Sequence, residues 1–137
     1  LMSSRADASR GWSWYSDRKA GGGVIGALGT HAFDTLAWLI GPVGSVQALN
    51  SVSIPERPGA DGAMKAVDAE DVALIQTTLN WQGRSDCAVP AQLNLASVAR
   101  QGRGCWLEVY GSKGTMILGS ENQKDYVHGF SLWHASP

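Results

Sequence analysis

The stretch "GGGVIGALGTHAFD" (residues 21–34) decides how the chain is read. Taken literally, Gly21, Gly23 and Gly26 spell G-x-G-x-x-G, the fingerprint of a dinucleotide-binding turn. That fingerprint needs a strand before it, a helix after it and an acidic residue about 20 positions on. The helix is present: Ile25, Leu28, Ala32, Leu36 and Leu39 recur three or four apart from Gly23 to Ile40, and Gly41-Pro42 stops the pattern. The strand is not, because "YSDRKA" (15–20) is charged and unpatterned. The acid is missing too, since residues 42–55 hold no Asp or Glu. The dinucleotide reading fails two of three tests, and no cofactor-binding residue is assigned. Instead, Gly26, Gly29 and Ala37 read as small residues that let another backbone come close.

At about 100° per residue, the helix has a further side. Ala27, His31, Asp34 and Trp38 follow one another at i, i+4, i+7 and i+11. A helix with residues of this kind all round is expected to be covered on most of its circumference. An aspartate there is costly unless it is paired or sits at a wet cleft. His31 and Asp34 are three apart, so their side chains can meet. Two readings stay open: a structural His–Asp pair, or a histidine that transfers protons near neutral pH. Metal binding ranks last, since no second His or Cys falls at ligand spacing. His128 and His134 lie in a tail without pattern.

Outward from the helix, residues 1–20 read as a loop and 55–68, rich in Pro and Gly, as an exposed loop. Strands are expected over 45–54, 71–81, 87–98 and 105–111, followed by "TMILG" (115–119). "RQGRG" (100–104) and "GSKG" (111–114) read as hairpin turns. One helix followed by hairpin-connected strands is an α+β fold with a largely antiparallel sheet. Ala73, Ile75, Thr77, Leu79 and Trp81 share one face; Cys87, Val89, Ala91, Leu93 and Leu95 share another. Pro90 points to an edge strand or a bulge. A turn near residue 101 puts Cys105 opposite a residue near 98, far from Cys87, so the two read as separate buried thiols. Gln92 and Asn94, together with Trp106, Glu108 and Tyr110, make a mixed face suited to burial on assembly.

Bulk composition excludes several classes. With 137 residues, 44% hydrophobic and 17% charged, the chain holds one domain with one core. A net charge of −1 supplies no field for nucleic acid or an acidic membrane. No apolar run approaches the roughly 18 residues of a membrane span, and the start lacks a signal-peptide core, so the expected location is the cytoplasm. The chain opens on Leu1 and closes on "SLWHASP", which reads as part of something longer.

From Trp14 to Gly41 the residues follow W-x-x-D-x-x-x-GGG-x-x-x-x-x-G-x-H-x-x-D-x-x-x-x-L-x-G. This resembles the C-terminal domain of the Gfo/Idh/MocA oxidoreductases, and "LEVYGSKGTMIL" (107–118) resembles that family's closing hairpin. The resemblance implies the C-terminal half of a two-domain dehydrogenase. Residues 1–137 then form a single partial domain for substrate binding and oligomerisation. Its partners would be a small-molecule substrate, an N-terminal Rossmann domain absent from this chain, and further copies of itself through the sheet. NAD or NADP would bind the intact parent. His31 falls on the position that brings a histidine to the substrate, and Asp34 on that of a substrate contact or an orienter of the histidine. Trp14, Tyr15 and Arg100 are candidate rim contacts, with surface packing and a turn charge as the alternative. Ala27 stands where many sugar dehydrogenases of the family carry an Asp, and the family's lysine belongs to the N-terminal domain. The leading expectation is thus part of an NAD(P)-dependent oxidoreductase acting on a sugar, polyol or related compound. The alternative is a non-catalytic binding or dimerisation module of the same fold.

Overall fold

The helix builds the molecule around itself. The computed structural model of the chain describes residues 3–100, 102–120 and 129–136. Two short 3₁₀ turns, Ser3–Ala6 and Trp14–Ser16, precede a wide turn at Ile25–Gly29 that runs into α1 (Thr30–Leu39). Then follow β1 (Val43–Ser51), β2 (Glu56–Pro58), β3 (Met64–Ala66), β4 (Val72–Asn80), β5 (Ala88–Ala96), β6 (Trp106–Gly111), β7 (Gly114–Gly119) and β8 (Ser131–Ala135). Every pairing is antiparallel, so the fold is α+β as the pattern predicts.

The core forms where α1 meets the sheet β1-β4-β5. Period-two alternation in β4 turns Ala73, Ile75, Thr77 and Leu79 inward, and all four are buried. Leu93 of β5 joins them, with Val89, Ala91 and Leu95 half-buried beside it. From the helix come Val24 and Leu36, flanked by Ile25, Leu28, Ala32, Phe33 and Ile40. Truncating Ile75 to Ala would cost about 2–5 kcal/mol. Pro90 lies on β5, an edge strand of this sheet, as a proline requires.

Several expectations need correction. α1 is not covered on most of its circumference: His31, Asp34, Thr35, Ala37, Trp38 and Leu39 are exposed. The sheet lies on one side of it only, and Ile40 rather than Leu39 continues the buried stripe. Residues 55–68 are not a plain loop but carry the β2-β3 ribbon, which fastens the N-terminal segment. Buried Arg57 donates to the carbonyls of Asp7 (2.8 Å) and Arg5 (2.6 Å). Trp12 Nε1 donates to the Ala66 carbonyl (2.9 Å), and Lys65 lies over the indole.

The link between β5 and β6 is a crossover, not a hairpin, because β6, β7 and β8 form a sheet of their own. Trp106, Glu108 and Tyr110 therefore do not share a sheet with Gln92 and Asn94. They make a separate cluster in which Trp106 stacks on Trp133, Arg103 lies over Trp106 and Tyr110 hydrogen-bonds Glu108. His134 lies in β8, not in an unpatterned tail, while His128 is outside the described residues. Trp81 opens a 3₁₀ turn and is exposed. Cys87 and Cys105 are free, as expected, but exposed rather than buried.

Candidate active-site face on the first helix

The glycine turn is closed around an anion of the protein's own. Glu70, buried two residues before β4, accepts the Val24 N–H through its carbonyl (2.8 Å) and the Ile25 N–H through its carboxylate (3.0 Å). Gly23 has φ +94°, and a Cβ there would lie 2.5 Å from Glu70 Oε1. A Cβ on Gly26 would collide with the Gly21 carbonyl. The glycines thus give the chain room to fold onto itself and onto a carboxylate. A helix N-terminus attracts anions, and here the charge it would offer a phosphate already faces Glu70.

Next to Glu70, Asp71 is also buried and fully used. Its carboxylate accepts the Ser53 N–H (2.8 Å) and the Ile54 N–H (3.0 Å). Its carbonyl accepts the Ser97 N–H (2.9 Å). Sequence reasoning missed both acids: Glu70 lies 45 residues from the Ile25 amide it accepts, and Asp71 lies 18 and 17 residues from Ser53 and Ile54. The one local signal is a pair of carboxylates placed directly before an alternating strand.

The Ile25–Gly29 segment is a π turn: the Thr30 N–H bonds to the Ile25 carbonyl, five residues back. His31 follows one residue later, after Thr30. Its side chain is exposed and makes no hydrogen bond or ion pair with any described residue, nor does that of Asp34. The structural His–Asp pair is therefore not what is seen. Trp38, one further step along this side, is 83% exposed.

The remaining candidates sit around the start of the helix. The Trp14, Tyr15 and Asp17 carbonyls crowd Gly22, so the loop carrying Trp14 and Tyr15 abuts the glycine turn. Trp14 is exposed and meets Tyr15 edge-on, at 5.7 Å between centroids. Tyr15 carries the Arg5 guanidinium over its ring at 3.5 Å. Burial lowers the pKa of that guanidinium, offset by Tyr15. Arg100 donates to the Ala6 carbonyl (3.0 Å), so it fastens the N-terminal segment. Among the described residues no group of three or more His, Cys, Asp or Glu could hold a metal ion. No helix among them is long and apolar enough to cross a membrane.

Residues 2–117 match the family model for the GFO/IDH/MocA C-terminal domain. The chain belongs to this oxidoreductase family. An uncharacterized oxidoreductase of Synechocystis sp. is 52% identical over 136 residues, covering 98% of this chain and 35% of that protein. Levoglucosan dehydrogenase of Pseudarthrobacter phenanthrenivorans is 26% identical over 142 residues, covering 92% of this chain and again 35% of that protein. This GFO/IDH/MocA domain thus spans about a third of the curated relatives it matches. Among solved structures, levoglucosan dehydrogenase in complex with NADH and L-sorbose superposes with a TM-score of 0.71 at 23% identity, over 95% of this chain and 37% of that one. An NAD binding oxidoreductase from Klebsiella pneumoniae gives 0.70 at 23%, over 96% and 36%. At that identity the likeness is one of fold.

Proposed function

We propose that this chain is the substrate-binding and assembly domain of an NAD(P)-dependent oxidoreductase acting on a sugar, polyol or related hydroxyl/carbonyl compound. The carrying observation is His31: an exposed imidazole without a partner among the described residues, on a helix whose start is held by the buried Glu70 carboxylate. In the direction of oxidation, His31 accepts the proton of the substrate hydroxyl as the hydride leaves the same carbon. Asp34, one turn on, orients the imidazole or holds a second hydroxyl. Trp14 and Tyr15 supply the rim. Arg100 is the weakest of the proposed contacts, since its guanidinium already serves Ala6. The nicotinamide site belongs to the Rossmann domain of the parent, a cytoplasmic enzyme in this reading, which also closes over the His31 face.

Assembly falls to the outer face of the sheet β1-β4-β5. Register places Ser45, Gln47 and Leu49 beside Thr78, Gln76 and Leu74, and these beside Pro90, Gln92 and Asn94. Leu49 and Leu74 are exposed there, with the Gln47–Gln76–Gln92 row on one side and Asn94 next to Leu74, a mixed apolar and amide face. The deciding experiment is a screen of the intact parent against sugars and polyols, levoglucosan included, with both NAD and NADP. Turnover of at least one such compound is expected. A folded parent that turns over none of them supports the non-catalytic module, the reading that Ala27 favours.

A further inference from the structure

The π turn before His31 is held open from both ends. An α-helix closes the same span with one residue fewer. Tightening the turn must therefore draw the chain in by one residue, about 1.5 Å of rise and 100° of rotation. Downstream, Phe33 and Leu36 are set against the sheet. Upstream, Glu70 grips two successive amides, Val24 by its carbonyl and Ile25 by its carboxylate. Gly23 leaves the carboxylate room to lie against the chain. Glu70 itself cannot drift, since the adjoining Asp71 is tied to Ser53, Ile54 and Ser97. Thr30 and His31 are the first residues past this fixed, wide turn.

We propose that Glu70 is a positioning residue for His31: its carboxylate, by holding the Ile25 amide, keeps the π turn open and so fixes where the imidazole stands. The claim rests on the reading of His31 as the substrate-facing group. Glu70 touches the Gly23 and Ile25 backbone and acts on the reaction only through the helix start. Its length is part of the device. Asp at this position is one methylene short of the amide, whereas Gln retains an acceptor oxygen at the same reach.

The test uses the full-length parent carrying Glu70→Ala, Glu70→Asp, Glu70→Gln, His31→Asn, and Glu70→Ala with His31→Asn. Amide exchange followed by mass spectrometry needs no substrate. Peptides spanning 24–31 should exchange about 10-fold faster or more in the Ala and Asp variants, with the Gln variant close to wild type. With levoglucosan and NAD as the probe reaction, kcat per folded molecule should fall about 10-fold to 100-fold in the Ala and Asp variants. KM should move less than about twofold, and Gln should restore most of the rate. In the His31→Asn background, Glu70→Ala should cost almost nothing more. If the Ala variant does not fold, Glu70→Asp carries the test. Unchanged exchange over 24–31 overturns the proposal, as does an equal kcat loss from Glu70→Ala with and without His31. His31→Asn at full activity ends both the proposal and the reading beneath it. An inactive His31→Asn beside a fully active Glu70→Ala ends the positioning role alone.

Discussion

Where Glu70 meets the start of the helix, and Asp71 beside it meets the Ser53–Ile54 segment, the buried carboxylates are matched to backbone amides. Where His31, Asp34 and Trp38 line the same helix a turn or two later, none of those side chains bonds to a described residue. Both regions combine acids with a helix, yet one is closed and the other open. Folding alone explains the closed region, because an unpaired carboxylate in the interior costs far more than it returns. It says nothing of the open one, where a histidine, an acid and a large aromatic are exposed and, in the function proposed above, face the substrate and the other domain. Polar groups consumed internally mark structure. Polar groups left on one exposed face are those that the proposed function assigns to a ligand or a neighbouring domain.

The strongest way to break this contrast is His31→Asn in the intact parent. Positioned acid/base groups contribute roughly 10²–10⁴-fold, so kcat/KM should fall by about 10² or more. The melting temperature and cofactor affinity should stay nearly unchanged, because the imidazole packs against nothing that folding needs. A lowered melting temperature with catalysis falling only in step with the folded fraction would move His31 to the closed class.

Asp71→Ala probes the opposite region. Two amides lose a charged acceptor, each bond being worth about 1.5–3 kcal/mol. Urea unfolding of this chain should report a loss of about 3–6 kcal/mol. Asp71→Asn, which keeps one acceptor, should lose roughly half of that. An Asp71→Ala chain as stable as wild type would mean that the buried node is dispensable.

The helix and the inward faces of β4 and β5 were legible because one-sided burial writes its period into the sequence. The wheel misplaced the far end of the helix for a local reason. A π turn shifts the register, and the sheet covers one flank only, so Ile40 packs where Leu39 was expected. β8 was missed because all five of its residues are exposed, which removes any alternation. The crossover after β5 was misread because a Gly-rich link looks the same whether it reverses within a sheet or leaves it. At the candidate site, the GGG and H-x-x-D residues were visible as a motif. Glu70 was not, since no local pattern ties a residue before β4 to a turn 45 positions earlier. Of the small residues read as sites of close approach, Gly26 meets the nearby Gly21 carbonyl, and Gly29 meets the Ile25 and Leu95 side chains rather than a backbone. Ala37 is exposed, and the carboxylate from the distant sequence lies against Gly23.

Two smaller effects sharpen the comparison further. Calorimetry of this chain with NADH and NADPH should show no micromolar binding, because Glu70 already faces the amides that a phosphate would need. Saturable binding at that level would show that the closed region is open after all. Leu74→Lys, on the outer face of β1-β4-β5, should leave unfolding within about 0.5 kcal/mol of wild type. The intact parent should nevertheless shift toward monomer by light scattering at tens of micromolar. An unchanged assembly would take the outer face out of the interface.

The smallest effect expected is also the most discriminating for the open face. Trp38 is 83% exposed and lies outside the buried stripe of α1. Trp and Ser have nearly equal helix propensities, so Trp38→Ser disturbs neither the helix nor the core. In this chain its unfolding free energy should stay within about 0.5 kcal/mol of wild type. The parent is different if its other domain closes over the His31 face, because an indole buried between domains is a large apolar contact. There the same substitution should lower the melting temperature, and by more than any change in this chain. An equal loss in both would make Trp38 a packing residue of this domain, and the contrast between the two regions of the helix would lose its aromatic member.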